Sequence, residues 1–86
     1  MEETLIEYPS DFPIKIMGES RDDFTQTIIG IVMRHAPDFD AATVEIRPSK
    51  TGKYISLTCT INATSREQLD NLYRELTACP AIKLVL

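Results

Sequence analysis

Apolar and polar residues alternate without interruption over residues 53–63, the longest such run in the chain. Ile55, Leu57, Cys59, Ile61 and Ala63 take one parity and Tyr54, Ser56, Thr58, Thr60 and Asn62 the other. Successive side chains of a strand point to opposite faces, so this pattern predicts a strand with one face on a core and the other offered to water or a partner.

A shorter alternation over residues 12–18 sets Phe12, Ile14 and Ile16 against Pro13, Lys15 and Met17, and Gly18 ends this first strand. Ser20 is placed to cap a helix whose first turn would hold Asp22 and Asp23, where carboxylates suit the positive end of the helix dipole. Phe24, Ile28, Ile31, Val32 and His35 then fall on one helical stripe, and Pro37 stops the helix at Ala36. Ile29, Met33 and Ala36 widen the stripe beyond what one packing face needs. Either the apolar segment around Leu5 to Tyr8 or a second copy of the chain would cover that flank. Exposed apolar patches on monomers are modest, which favours the segment.

Residues 37–42 read as a loop and residues 43–47 as a short second strand with Val44 and Ile46 inward. Pro48, Ser49, Lys50, Thr51 and Gly52 form a hairpin turn in which Gly52 can take positive φ. After the long strand, Ser65 with Gln68 and Thr64 with Glu67 both have capping-box spacing. The helix that follows, residues 66–78, carries Leu69, Leu72, Tyr73 and Leu76 on one face, with Asp70 and Arg74 as an outward pair. Pro80 closes it, and residues 81–86 make a last strand.

The order β-α-β-β-α-β, with a tight hairpin in the middle and right-handed crossovers on either side, predicts an α+β ferredoxin-like βαββαβ sandwich. It has a four-stranded antiparallel sheet with two helices on one face. Strands one and three would be central and strands two and four the edges. A single domain over residues 12–86 is expected, preceded by a partly ordered N-terminal extension over residues 1–11.

Composition narrows the function classes. The 86 residues carry a net charge of −4 and a pI near 4.8, with nine scattered basic residues, which argues against binding nucleic acid through its phosphates. A fraction of 43% apolar residues is ordinary for a globular chain. No apolar run approaches the roughly 20 residues of a membrane span, and the acidic start lacks the basic region of a signal peptide, so a cytoplasmic location is expected. Cys59 and Cys79 share no metal or redox spacing and read as two free thiols.

Candidate chemistry is sparse. The outer sheet face offers Lys15, Met17, Tyr54, Ser56, Thr58, Thr60 and Asn62 as a partner-binding surface, and its single aromatic is poor for stacking RNA bases. Gly18-Glu19-Ser20-Arg21 holds no paired cysteines, and one histidine with two separated thiols does not make a tetrahedral metal set. Asp38 and Asp40 read as a solvated pair, short of the six or more oxygens of a calcium site. His35, in the last turn of an apolar stripe, reads as a structural cap or a packed histidine, ahead of a general base or pH sensor. Gly30, opposite the core stripe, reads as a tolerated surface glycine. No phosphate-binding glycine motif or activated nucleophile is visible, so neither catalysis nor a metal or other cofactor is expected.

Nearly the whole chain resembles the YbeD-like family of small bacterial proteins of unknown function. The matching residues are Phe12 and Pro13, Lys15 through Gly18, Arg34-His35-Ala36-Pro37, Arg47-Pro48-Ser49, Gly52, Tyr54, Ile61 through Ala63, Glu67-Gln68-Leu69, Leu72-Tyr73, Glu75-Leu76 and Val85-Leu86. Lys50 stands where that family usually has a second serine after the proline. The resemblance implies a bacterial cytoplasmic protein with a ferredoxin-like fold, similar to ACT-type regulatory domains that bind amino acids and pair through their sheets. Two readings of function follow. One is a regulatory or protein-interaction module that uses the helix-free sheet face or an edge strand to bind itself or a protein partner. The other is an ACT-like sensor holding a small metabolite near Met17, Gly18, Ser20 and Arg21. The like charges of Glu19, Asp22 and Asp23 weigh against an anionic ligand there and favour the module.

Overall fold

Two ten-residue strands, β1 (Ser10–Glu19) and β3 (Tyr54–Ala63), pair antiparallel along their whole length, from Ser10 opposite Ala63 to Glu19 opposite Tyr54. The structure, a computed structural model, describes residues 7–86. Around the central pair lie α1 (Phe24–His35), a 3-10 turn (Ala41–Thr43), β2 (Glu45–Pro48), α2 (Arg66–Ala78) and β4 (Ile82–Val85). Sheet order is β2-β3-β1-β4, so the first and third strands are central and the other two are edges, in the ferredoxin-like arrangement that the element order predicts.

One parity of the central strands makes the core floor. Ile14, Ile16, Leu57, Cys59, Ile61 and Ala63 are buried there beneath Phe24, Ile28, Ile31 and Val32 of α1 and Leu69, Leu72 and Leu76 of α2. Each fully buried large aliphatic side chain contributes about 1.5–3 kcal/mol, so these residues supply most of the drive to fold. Ala36 completes the core beyond the end of α1, while Ile29 is half-buried and Met33 remains 41% exposed. Of the segment expected to cover this flank, Leu5 and Ile6 lie outside the described residues, and Tyr8 packs against the core.

Local details depart from the sequence reading where tertiary pairing overrides a short-range signal. β1 starts two residues early because Asn62 and Ala63 supply partners for Asp11 and Ser10. It also runs on through Glu19, and the Ser20 N–H donates to the Lys53 carbonyl at 2.9 Å. Ser20 is thereby tied to the start of β3 and does not cap α1. The cap position falls to Asp23, whose side chain makes no capping bond, so Asp22 and Asp23 precede the helix and do not lie in its first turn.

The expected second strand is displaced in the same way. Asp40 accepts from the Ala42 N–H at 2.9 Å and closes the 3-10 turn, which leaves Val44 before β2. Ile46 sits on the helix side opposite Leu57, yet it is 50% exposed because neither helix reaches the β2 edge.

α2 starts and ends where its capping box and Pro80 predict. Ser65 Oγ accepts from the Gln68 N–H at 3.1 Å, and the Gln68 side chain takes the Thr64 N–H at 2.7 Å. The outward ion pair is Arg66 with Asp70 and not Asp70 with Arg74, whose guanidinium donates to Asn71.

β4 pairs with β1 through Gly18 opposite Ile82, Met17 opposite Leu84 and Ile16 opposite Val85, with a bulge at Lys83. Gly18 is needed at this crossing, since a Cβ there would lie 2.4 Å from the Ala81 carbonyl oxygen and 2.5 Å from the Phe24 ring. Gly30 is different, for a Cβ there would meet nothing within 4 Å.

The two glycines should respond oppositely to the same change. Gly18→Ala is expected to destabilise by about 1–3 kcal/mol through overpacking against backbone. Gly30→Ala should stabilise by about 0.5–1 kcal/mol through helix propensity. Urea unfolding of both variants checks this, and a neutral Gly18→Ala would mean that the crossing has slack.

Candidate functional site at the helix-free sheet face

Because both helices pack on one side of the sheet, the opposite parity of its strands forms a continuous uncovered face. One row across it runs Arg47, Ser56, Met17, Leu84, and the next runs Glu45, Thr58, Lys15. Lys15 and Leu86 exchange both backbone hydrogen bonds, at 3.1 and 2.8 Å, which extends that second row to the end of the chain. Tyr54 lies opposite Glu19, Thr60 opposite Pro13, and Asn62 opposite Asp11. All seven residues expected on this face are brought together on it.

They are not equally available. Ser56 is buried, and its hydroxyl donates to the Arg47 carbonyl at 3.4 Å, so it forms a floor. Thr58 is half-buried, and Asn62 donates to Asp38 at 3.4 Å. Over Ser56 opens a depression of about 150 Å³, walled by Met17, Arg47, Pro48, Ser49, Tyr54 and Ile55. Tyr54 is 41% exposed, Leu84 46% and Leu86 61%. Pattern reading missed Leu84 and Leu86 because the bulge at Lys83 changes parity within β4: Ile82 pairs with inward Gly18, and Leu84 two residues on pairs with outward Met17.

The hairpin beside the depression is held by its own hydroxyls. Ser49 N–H donates to the Tyr54 carbonyl at 2.9 Å, the Ser49 side chain accepts from the Tyr54 N–H at 3.1 Å, and Gly52 takes φ 75° as the turn requires. Lys53 Nζ stands 5.8 Å from the centre of the Tyr54 ring.

Met17, Gly18, Ser20 and Arg21, grouped by sequence as a metabolite site, do not converge. Met17 faces out and Gly18 faces in, where the Phe24 ring and the Ala81 carbonyl fill the space, while Ser20 and Arg21 are exposed.

His35 joins the two helices. Its Nε2 is 2.7 Å from Glu75 Oε1, its carbonyl accepts from Gln68 Nε2 at 2.8 Å, and Arg34 pairs with the same Glu75. A carboxylate 40 residues away, and not the carbonyls of its own helix end, thus receives the imidazole. Among the described residues no group of three or more His, Cys, Asp or Glu could hold a metal ion, and no helix is long and apolar enough to cross a membrane.

These features define the class as an ACT-like ferredoxin fold. A solution structure of an H. pylori protein superposes with a TM-score of 0.78 at 14% identity, covering 99% of this chain and 89% of that one. The ACT domain of GTP pyrophosphokinase from Chlorobium tepidum superposes at 0.66 with 20% identity, covering 88% of this chain and 84% of that one. Within that class, residues 3–86 match a family described as "Protein of unknown function (DUF493)". A UPF0250 protein of Nitrosomonas europaea is 59% identical over 99% of this chain and 98% of its own length. A UPF0250 protein of Bordetella pertussis is 58% identical over 99% and 93%. The chain belongs to this DUF493/UPF0250 family of small bacterial proteins, as its resemblance to small bacterial proteins of unknown function implies.

Both cysteines are free, Cys59 buried and Cys79 half-buried. Burial pushes the Cys59 thiol up from 9.0 to about 11, so it is protonated and shielded in the native state. Because the folded-state value lies above that of the unfolded chain, this group's contribution to stability is intact below pH 9 and fades as pH rises through about 11. Titration of the native protein with a chromogenic disulfide at pH 8 should therefore modify Cys79 first. Cys59 should react only with unfolding, and rapid labelling of a Cys79→Ser variant would contradict this.

Proposed function

We propose that the chain is a non-enzymatic regulatory or protein-interaction module of the bacterial cytoplasm, and that it binds a protein partner or itself through the helix-free sheet face. The supporting observation is the exposed apolar side chains on that face: Tyr54, which walls the depression, Leu84 beside Met17, and Leu86 beside Lys15. Contiguous apolar surface rimmed by polar residues marks interaction sites, whereas apolar side chains scattered singly do not.

A second reading, an ACT-like sensor of a small metabolite such as an amino acid, has support in the likeness to the ACT domain of GTP pyrophosphokinase. Two features weigh against it. The space at Gly18 is occupied by protein atoms, and Ser20 and Arg21 are exposed and share no pocket with Met17.

Thr58→Arg puts a charge in the middle of the face without touching the core. It is expected to keep the fold and to reduce self-association, read by sedimentation equilibrium, or partner capture, read by pull-down from a bacterial lysate. A strict monomer that retains no partner would remove the module reading. A thermal-shift screen against amino acids and organic acids should be flat, and a raised midpoint with one of them would favour the sensor.

A further inference from the structure

The hairpin that closes the sheet at the β2–β3 end is the basic part of an acidic protein. No Asp or Glu occurs between Glu45 and Glu67, a stretch of 21 residues that holds four of the nine basic residues of the chain, Arg47, Lys50 and Lys53 in and beside the hairpin and Arg66 at the far end of the stretch. Among the described residues none of the first three makes an ion pair, whereas Arg34, Arg66 and Lys83 all do. Nearby on the same face, Glu19 is engaged by Lys83 at 3.7 Å, which leaves Glu45 as the other neighbouring acid.

These cations lie at the hairpin end of the depression. Arg47 is one of its walls, Lys53 stands over the Tyr54 ring that forms another, and Lys50 lies in the connecting turn. The depression itself is lined chiefly by Met17, Pro48, Ile55 and the Tyr54 ring, with the buried Ser56 below. Its volume of about 150 Å³ is of the order that one aromatic ring fills, although the depression is open to solvent on one side and not an enclosed cavity.

We propose that this end of the sheet face binds an acidic segment of a partner protein, with one aromatic side chain of that segment seated in the depression. Flanking carboxylates meet Arg47, Lys50 and Lys53. The inference rests on the module reading above and specifies its partner: the depression sets one ring-sized anchor, and the cations set the sign of what surrounds it. In a two-fold pairing of this face the cations of one copy would meet those of the other, so a second copy of the chain is the poorer occupant.

The test uses the isotope-labelled full chain and three short capped peptides, Glu-Asp-Phe-Glu-Asp, Glu-Asp-Ser-Glu-Asp and Lys-Lys-Phe-Lys-Lys, followed by amide shifts. The acidic Phe peptide should move the amides of Met17, Tyr54 and Ser56, less so as salt is raised, and the other two should not. The double variant Arg47→Glu, Lys53→Glu should keep the native spectrum elsewhere and weaken binding about tenfold or more. Equal shifts with the Ser or Lys peptide, no shifts with any peptide, or the same shifts with inorganic phosphate alone would overturn the proposal. So would larger shifts with a single-stranded oligonucleotide, or concentration-dependent shifts of these amides without peptide, which would put a second copy in the depression. Partner capture lost in Thr58→Arg but kept in the double variant would overturn this inference and leave the module reading standing.

Discussion

The fold depends on the register of β1 against β3. Ten consecutive pairs, from Ser10 with Ala63 to Glu19 with Tyr54, set Ile14, Ile16, Leu57, Cys59, Ile61 and Ala63 on one face. A slip of one residue would turn one strand's whole apolar set to water, so the hydrophobic pattern and the register enforce each other. Both helices must then pack on that face, because only there does the sheet offer apolar surface for the stripes of α1 and α2. The uncovered face is the consequence, and its residues are those of the other parity.

Most of this was legible because period two and period three and a half are local signals. The long strand, α2 with its Ser65 and Gln68 cap, the Gly52 turn and the strand order all follow from them. What local signals could not carry were contacts made across the chain. Ser20 has the chemistry of a cap, but its N–H is claimed by Lys53. Ile46 has the parity of a core residue, but it lies on an edge beyond the helices. His35 is paired with Glu75, a partner that no reading of its own helix could supply. Seven residues of the candidate face were legible from alternation, whereas Leu84 and Leu86 were hidden by one extra residue, Lys83, in β4.

This architecture persists through wide changes of sequence. At 14% identity the H. pylori protein keeps the same architecture over almost the full chain, so the sheet and its two helices tolerate near-complete replacement of side chains. An exposed sheet face is common to every such fold and says little by itself. What bears on function is what stands on the face: the Tyr54 ring, the outward leucines and a hairpin whose cations differ in sign from the protein's overall charge.

The edges of the sheet offer a competing route, in which a partner adds a strand to β2 or β4. Their construction opposes it. β2 is four residues long and ends in Pro48, which has no N–H to donate, and β4 is also four residues and carries a bulge at Lys83 that breaks its ladder. Short strands, prolines, bulges and lysines are the devices by which edges resist pairing. Backbone hydrogen bonds at the edges are thereby weak recruits, and side chains on the broad face are the stronger ones. The same bulge that blunts the β4 edge also turns Leu84 and Leu86 outward, so a single inserted residue disfavours one mode of association and enlarges the apolar surface available to the other.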